Sequence, residues 1–143
     1  DPLPVLQKFL AELPGLRPRS GELFTVLSEL YSNALEHGVL GLHSQMKASQ
    51  QGFSHYYYER SQRLQVLRRG FVRFDIRYRS NMESHTLELI VSDSGEGFDV
   101  QSLVAKVPET ADLSGRGLHL IQSICNKVEY LGNGSQAKVV FEW

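Results

Sequence analysis

Glu29 and Asn33 stand four residues apart in the stretch Glu29-Leu30-Tyr31-Ser32-Asn33-Ala34-Leu35-Glu36-His37-Gly38. On a helix, that spacing puts both side chains on one face. A carboxylate held beside a pocket can take a proton from a hydroxyl or from water. An amide oxygen is a hard, neutral ligand of the kind Mg²⁺ accepts while keeping several waters. Taken alone, the pair is more simply read as a solvated polar stripe on an amphipathic helix. His37 follows one turn later. It could meet an anion or close the helix C-terminus, where the dipole favours imidazolium; the capping role is the expected one. The histidines His37, His43, His55, His85 and His119 show no spacing with cysteine or carboxylates that would suggest zinc.

Two more segments add chemistry downstream. In Asp93-Ser94-Gly95-Glu96-Gly97-Phe98, Asp93 ends a run that reads as a strand. A buried carboxylate there needs a donor, and the exocyclic amine of adenine is a suitable one. Gly95 and Gly97 would let the backbone pass close to a flat ring, although Asp-Ser-Gly is also ordinary turn chemistry. In Ser114-Gly115-Arg116-Gly117-Leu118 the glycines open a helix. Free N–H groups at such a terminus bind phosphate, and Arg116 would add charge. A dinucleotide fingerprint is excluded, because the third glycine and the preceding strand are missing. A Walker A loop is excluded too, because Gly-Lys-Ser/Thr occurs nowhere.

The elements that must position these residues follow from periodicity. Leu3 to Leu13 repeats apolar residues at helical spacing and stops at Pro14-Gly15. Ser20 is the expected N-cap of a second helix reaching about His37. Its inward stripe would be Leu23, Val26, Leu27, Leu30, Tyr31, Ala34 and Leu35. Gly38 and Gly41 mark its end. Leu42 to Gly52 reads as a loop or short helix, and Phe53 to Arg69 as a third helix. Phe71 to Tyr78 and Thr86 to Ser92 read as strands around an Asn81–Ser84 turn. Asp93 to Ser114 reads mostly as loop, with a short helix near Val100 to Lys106. A helix over Gly117 to Asn126 leads to strands Lys127–Leu131 and Ala137–Trp143 around Gly132-Asn133-Gly134-Ser135. Strands adjacent in sequence predict a largely antiparallel sheet. With helices on one face, the expected class is an α+β two-layer sandwich.

The bulk numbers agree with one domain over residues 1–143. The chain is 41% apolar and 22% charged, an ordinary globular balance. A net charge of -1 gives no global attraction to nucleic acid or anionic membrane. Cys125 is the single cysteine, which suits a reducing, cytoplasmic setting. No apolar run is long enough to span a bilayer. The chain opens on Asp1 rather than methionine, as expected of a piece of a longer polypeptide.

The three segments, in this order, resemble the N, G1 and G2 boxes of the GHKL (Bergerat-fold) ATPase superfamily. Asn33-Ala34-Leu35-Glu36-His37-Gly38 most resembles the anti-sigma-factor serine kinases of that superfamily. The resemblance spans roughly Ser20 to Trp143. It implies ATP and Mg²⁺ as cofactors, Glu29 as general base, Asn33 as the Mg²⁺ ligand and Asp93 as the adenine reader. Gly95 and Gly97 would shape the base pocket. Gly115, Arg116, Gly117 and Leu118 would border the phosphates, with His37 near them. The implied activity is phosphorylation of a serine on an anti-anti-sigma (STAS-domain) partner, which is bound before modification and released after it. A sigma factor and a second copy of the chain are further candidate partners.

Departures accompany the resemblance. The insertion from Gly41 to Arg69 is longer than a minimal anti-sigma kinase needs. It resembles domains at the C-terminus of multidomain response regulators that also carry a PP2C-type phosphatase. The threonine that usually opens the last strand is not matched in Gly134-Ser135-Gln136-Ala137-Lys138. The N-terminal edge strand is also missing. The tyrosines and arginines from His55 to Arg79 read as a solvated face rather than a nucleic-acid surface, and also suit partner docking. Two alternatives stay open: a histidine-kinase-type ATP domain, and a non-catalytic module that sequesters its partner.

Overall fold

Alternation decides the sheet. In the computed structural model, which describes residues 1–43, 47, 49–95 and 116–143, β1 (Val72–Ser80) pairs antiparallel with β2 (His85–Asp93). Of the second hairpin, β4 (Gln136–Glu142) lies against β2, and β3 (Lys127–Leu131) forms the far edge. The order is β1-β2-β4-β3, antiparallel throughout. Leu87, Leu89 and Val91 sit directly opposite Phe141, Val139 and Ala137. All six are buried on one face, where cross-strand pairs pack best.

Helices cover that face. They are α1 (Leu3–Ala11), α2 (Ser20–Ser32) and α4 (Arg116–Ile124). Leu10, Leu23, Val26, Leu27, Leu30, Ala34 and Ile121 join the six strand residues in one core. The predicted stripe of the second helix is thus the buried one at Leu23, Val26, Leu27, Leu30 and Ala34. The α+β two-layer sandwich with an antiparallel sheet is the observed architecture.

Two expectations about the second helix are corrected. Ser20 is its first residue and not its N-cap; Arg19 holds the cap position, without a side-chain hydrogen bond. A 3₁₀ turn, Arg17–Arg19, leads straight into the helix and so leaves the hydroxyl no free terminus to cap. The helix also does not run on as α to His37. From Asn33 to Val39 it widens into a π-helical turn, in which the Leu40 N–H reaches back five residues to the Leu35 carbonyl at 2.8 Å. Such turns are found mostly as local bulges, often at functional sites.

The third helix, α3 (Gln50–Val66), begins and ends three residues earlier than its apolar pattern predicts. Ser49 caps it by accepting from the Gly52 N–H at 3.0 Å. It packs through Tyr56 and Leu64 on a second, smaller cluster with Leu35, Val39, Leu40 and Leu42. Of the loop expected over Asp93 to Ser114, Asp93 instead ends β2, and everything beyond Gly95, with the short helix, lies outside the described residues. Among the described residues, no helix is long and apolar enough to cross a membrane.

Candidate functional site

The last turn of α2 and the π-helical turn after it lie across the end of β2. Three of the residues singled out by sequence, Glu29, Asn33 and Asp93, come from these pieces. Leu30, Asn33, Ala34, Val91, Asp93, Tyr130, Gly134 and Ala137 together line one narrow cleft. The opposed pair Val91 and Ala137 belongs to its sheet side, Leu30 and Ala34 to its helical side. The result is an apolar slot with a carboxylate at one end.

Asp93 is 9% exposed. Its Oδ1 accepts from the Gly95 N–H at 2.8 Å, and its own N–H donates to the Ser135 carbonyl at 3.0 Å. Oδ2 has no hydrogen-bond partner among the described residues. Burial pushes the carboxyl above its usual range, and the Gly95 N–H works against that shift. A carboxylate so placed accepts from a donor entering the slot.

Gly38 and Gly95 complete this corner. A Cβ on Gly38 would land on the Asp93 carboxylate, and one on Gly95 would strike the Gly38 carbonyl. Both positions therefore need glycine for close approach. The two sequence segments that carry Asn33 and Asp93 are in direct contact here.

Glu29 and Asn33 share one helix face as the spacing predicts; the Asn33 N–H donates to the Glu29 carbonyl as the α-helix ends. The Glu29 carboxylate lies against Gly117, where a Cβ would collide with it. That brings the carboxylate to the first turn of α4, the place where sequence puts an anion. Burial raises the Glu29 carboxyl above its usual range; Lys47 lowers it and Glu36 raises it further. A carboxylate shifted this way is a better proton acceptor near neutral pH.

His37 departs from its expected chemistry. It is 8% exposed, and its Nδ1 lies 2.7 Å from the Leu42 carbonyl. Burial holds its pKa below the usual value, so the neutral ring is favoured over the dipole-bound imidazolium. Leu118 is buried at 2% exposure. Gly97 and Gly115 lie outside the described residues, as does the side chain of Arg116.

The sequence did not point to Tyr130. Its phenol lines the cleft, and burial pushes its pKa up to about 12, with the nearby Asn33 amide acting the other way. An aromatic at a half-buried β3 position carries no such signal by itself. From the last strand, Ala137 lines the cleft and offers it no hydroxyl.

The residues present suit a nucleotide. The apolar lining suits the face of a flat base and the carboxylate suits its amine, but the cleft, with about 10 Å³ of free volume, has room for about one water and must open to admit a base. Among the described residues no three of His, Cys, Asp and Glu gather to hold a metal. A magnesium ion on Asn33 would therefore take its other ligands from water and phosphate, as this ion commonly does.

Residues 4–143 match the family model described as the histidine kinase-like ATPase domain. The chain belongs to that family. Membership places this ATPase domain in the GHKL superfamily and implies ATP binding with kinase-like chemistry, typically with Mg²⁺. No curated protein and no solved structure matches the chain.

Proposed function

We propose that this ATPase domain is an ATP- and Mg²⁺-dependent protein serine kinase of the anti-sigma-factor type, which phosphorylates and binds a STAS-domain partner. The observation that carries the reading is the Glu29 carboxylate lying against Gly117 at the start of α4. It sets a proton acceptor beside the terminus where free N–H groups suit phosphate. Asp93 and the slot would hold adenine, and Asn33 the metal.

ATP supplies the γ-phosphoryl group. The acceptor serine oxygen forms its bond to phosphorus as the bond to the β,γ-bridging oxygen breaks, and ADP leaves. Glu29 orients the hydroxyl and takes its proton. Such transfers depend on positioning and charge neutralisation more than on covalent help from the protein. The Asn33-Ala34-Leu35-Glu36-His37-Gly38 stretch supports serine as acceptor through its resemblance to the anti-sigma kinases.

Incubation with γ-labelled ATP, Mg²⁺ and STAS-domain proteins tests this. The expected product is acid-stable phosphoserine, and Glu29→Ala should lower transfer by about 10²- to 10⁴-fold while partner binding persists. Acid-labile label would instead indicate a histidine acceptor. Partner regulation that survives Glu29→Ala in full would contradict the kinase reading.

A further inference from the structure

The π-helical turn is held from outside by α3 through an apolar cluster and through a set of polar contacts. Glu36, in the middle of the turn, is only 5% exposed. Its Oε1 accepts from the Tyr56 hydroxyl at 2.6 Å. Its Oε2 accepts from Arg60 Nε at 3.1 Å. The Glu36 carbonyl accepts from the Leu42 N–H at 2.8 Å, and Arg63 Nη1 donates to the Leu40 carbonyl at 2.7 Å. Lys47 Nζ lies 4.8 Å from the centre of the Tyr56 ring.

A helix added only to enlarge a core would bury an apolar stripe. The single fully buried residue of α3 is Tyr56, and its hydroxyl is spent on Glu36. Besides its apolar contact through Tyr56 and Leu64, α3 contributes a grip on one carboxylate. That carboxylate stands three residues after Asn33, within the same turn.

We propose that Glu36 is a positioning residue: gripped by Tyr56 and Arg60, it sets the π-helical turn so that the Asn33 amide faces the nucleotide-borne magnesium ion. This rests on the ATP and Mg²⁺ reading above. It gives the Gly41–Arg69 insertion a task, because Tyr56 and Arg60 both belong to it. Partners behind a metal ligand commonly govern metal affinity by 10- to 100-fold, and this relay is expected to act in about that range.

Calorimetric titration with ATP, once in Mg²⁺ and once in EDTA, decides the matter, alongside thermal melts of each variant. In Tyr56→Phe the ring stays and one hydroxyl goes. The Mg²⁺-dependent gain in ATP affinity should fall about tenfold or more, while affinity in EDTA, set by Asp93 and the slot, stays at the wild-type value. Arg60→Met should behave likewise, and Arg60→Lys should restore most of the gain. Should Glu36→Gln fail to fold, Tyr56→Phe still gives the answer. A role in stability alone would lower the melting temperature and leave the Mg²⁺ gain intact, or weaken both titrations in parallel; either result overturns the proposal. Wild-type protein that binds no ATP would overturn the functional reading itself, a failure visible before any variant is made.

Discussion

Gly38 lies against the carboxylate of Asp93, so close that even a methyl group at Gly38 would occupy the space the carboxylate fills. The contact joins the helical side of the cleft to the sheet side. It also sets the end of β2 relative to Asn33, because Asn33 and Gly38 belong to one π-helical turn. The Gly95 backbone packs against the Gly38 carbonyl in the same corner, so little room remains for either partner to retreat.

Gly38→Ala should therefore push Asp93 out of the slot. ATP affinity is expected to fall more than tenfold, with a stability loss of about 1–3 kcal/mol typical of overpacking. Calorimetry and a thermal melt of the variant check both. Wild-type affinity in Gly38→Ala would mean that Asp93 does not read the base from this position.

Gly117→Ala should separate chemistry from stability. The added Cβ meets the far end of the Glu29 side chain, which can swing aside. Alanine in a helix is favoured over glycine by roughly 0.5–1 kcal/mol. The melting temperature should hold or rise slightly, while phosphoryl transfer falls because the carboxylate is displaced. Transfer at the wild-type rate would show that Glu29 works from elsewhere.

Acid should destabilise the fold through His37. Burial holds its folded pKa below the ordinary 6.5. Above 6.5 both folded and unfolded forms carry the neutral ring, and the stabilisation is complete. As pH falls below 6.5, the unfolded chain takes up the proton first, so stability is lost toward the lowered folded pKa. Glu29 and Asp93 are shifted upward and contribute the opposite slope at lower pH. Melts at about pH 7.5 and about pH 5.5 should show a larger drop for wild type than for His37→Gln. Equal drops would mean that His37 titrates normally.

Leu89→Ala tests the core that carries the site. Leu89 is 0% exposed and sits opposite Val139 in the middle of the sheet. Truncation there is expected to cost about 2–5 kcal/mol, read as a drop in the denaturant midpoint. A cost below 1 kcal/mol, about the level of a conservative swap, would contradict the packing described.

Much of this fold was legible in the sequence because its signals are local. The β2 alternation of Leu87, Leu89 and Val91, and the glycine-marked turn before β4, need no partner to be read. The spacing of Glu29 and Asn33 likewise fixes their shared face. What escaped depends on residues that meet only in three dimensions. The π-helical turn at Asn33–Val39 involves Gly38 meeting Asp93 from another element. Tyr56 reads as one of three consecutive tyrosines, yet its role comes from Glu36, twenty residues earlier. Tyr130 reaches the cleft because β3 is an edge strand beside β4, a placement set by topology. His37 misled because a terminal helix position suggests solvent and charge, whereas Tyr56 and the Leu42 carbonyl enclose it.

The central claim is that Asp93 and the cleft around it hold the base of ATP. Calorimetric titration of the protein with ATP and Mg²⁺, comparing wild type with Asp93→Asn, tests it most directly. The account predicts saturable binding by the wild type and a loss of about 1.5–3 kcal/mol in the variant, the range for a hydrogen bond to a charged group. Equal affinities in the two proteins, or no wild-type binding at about millimolar ATP (about 4 kcal/mol of affinity), would contradict it.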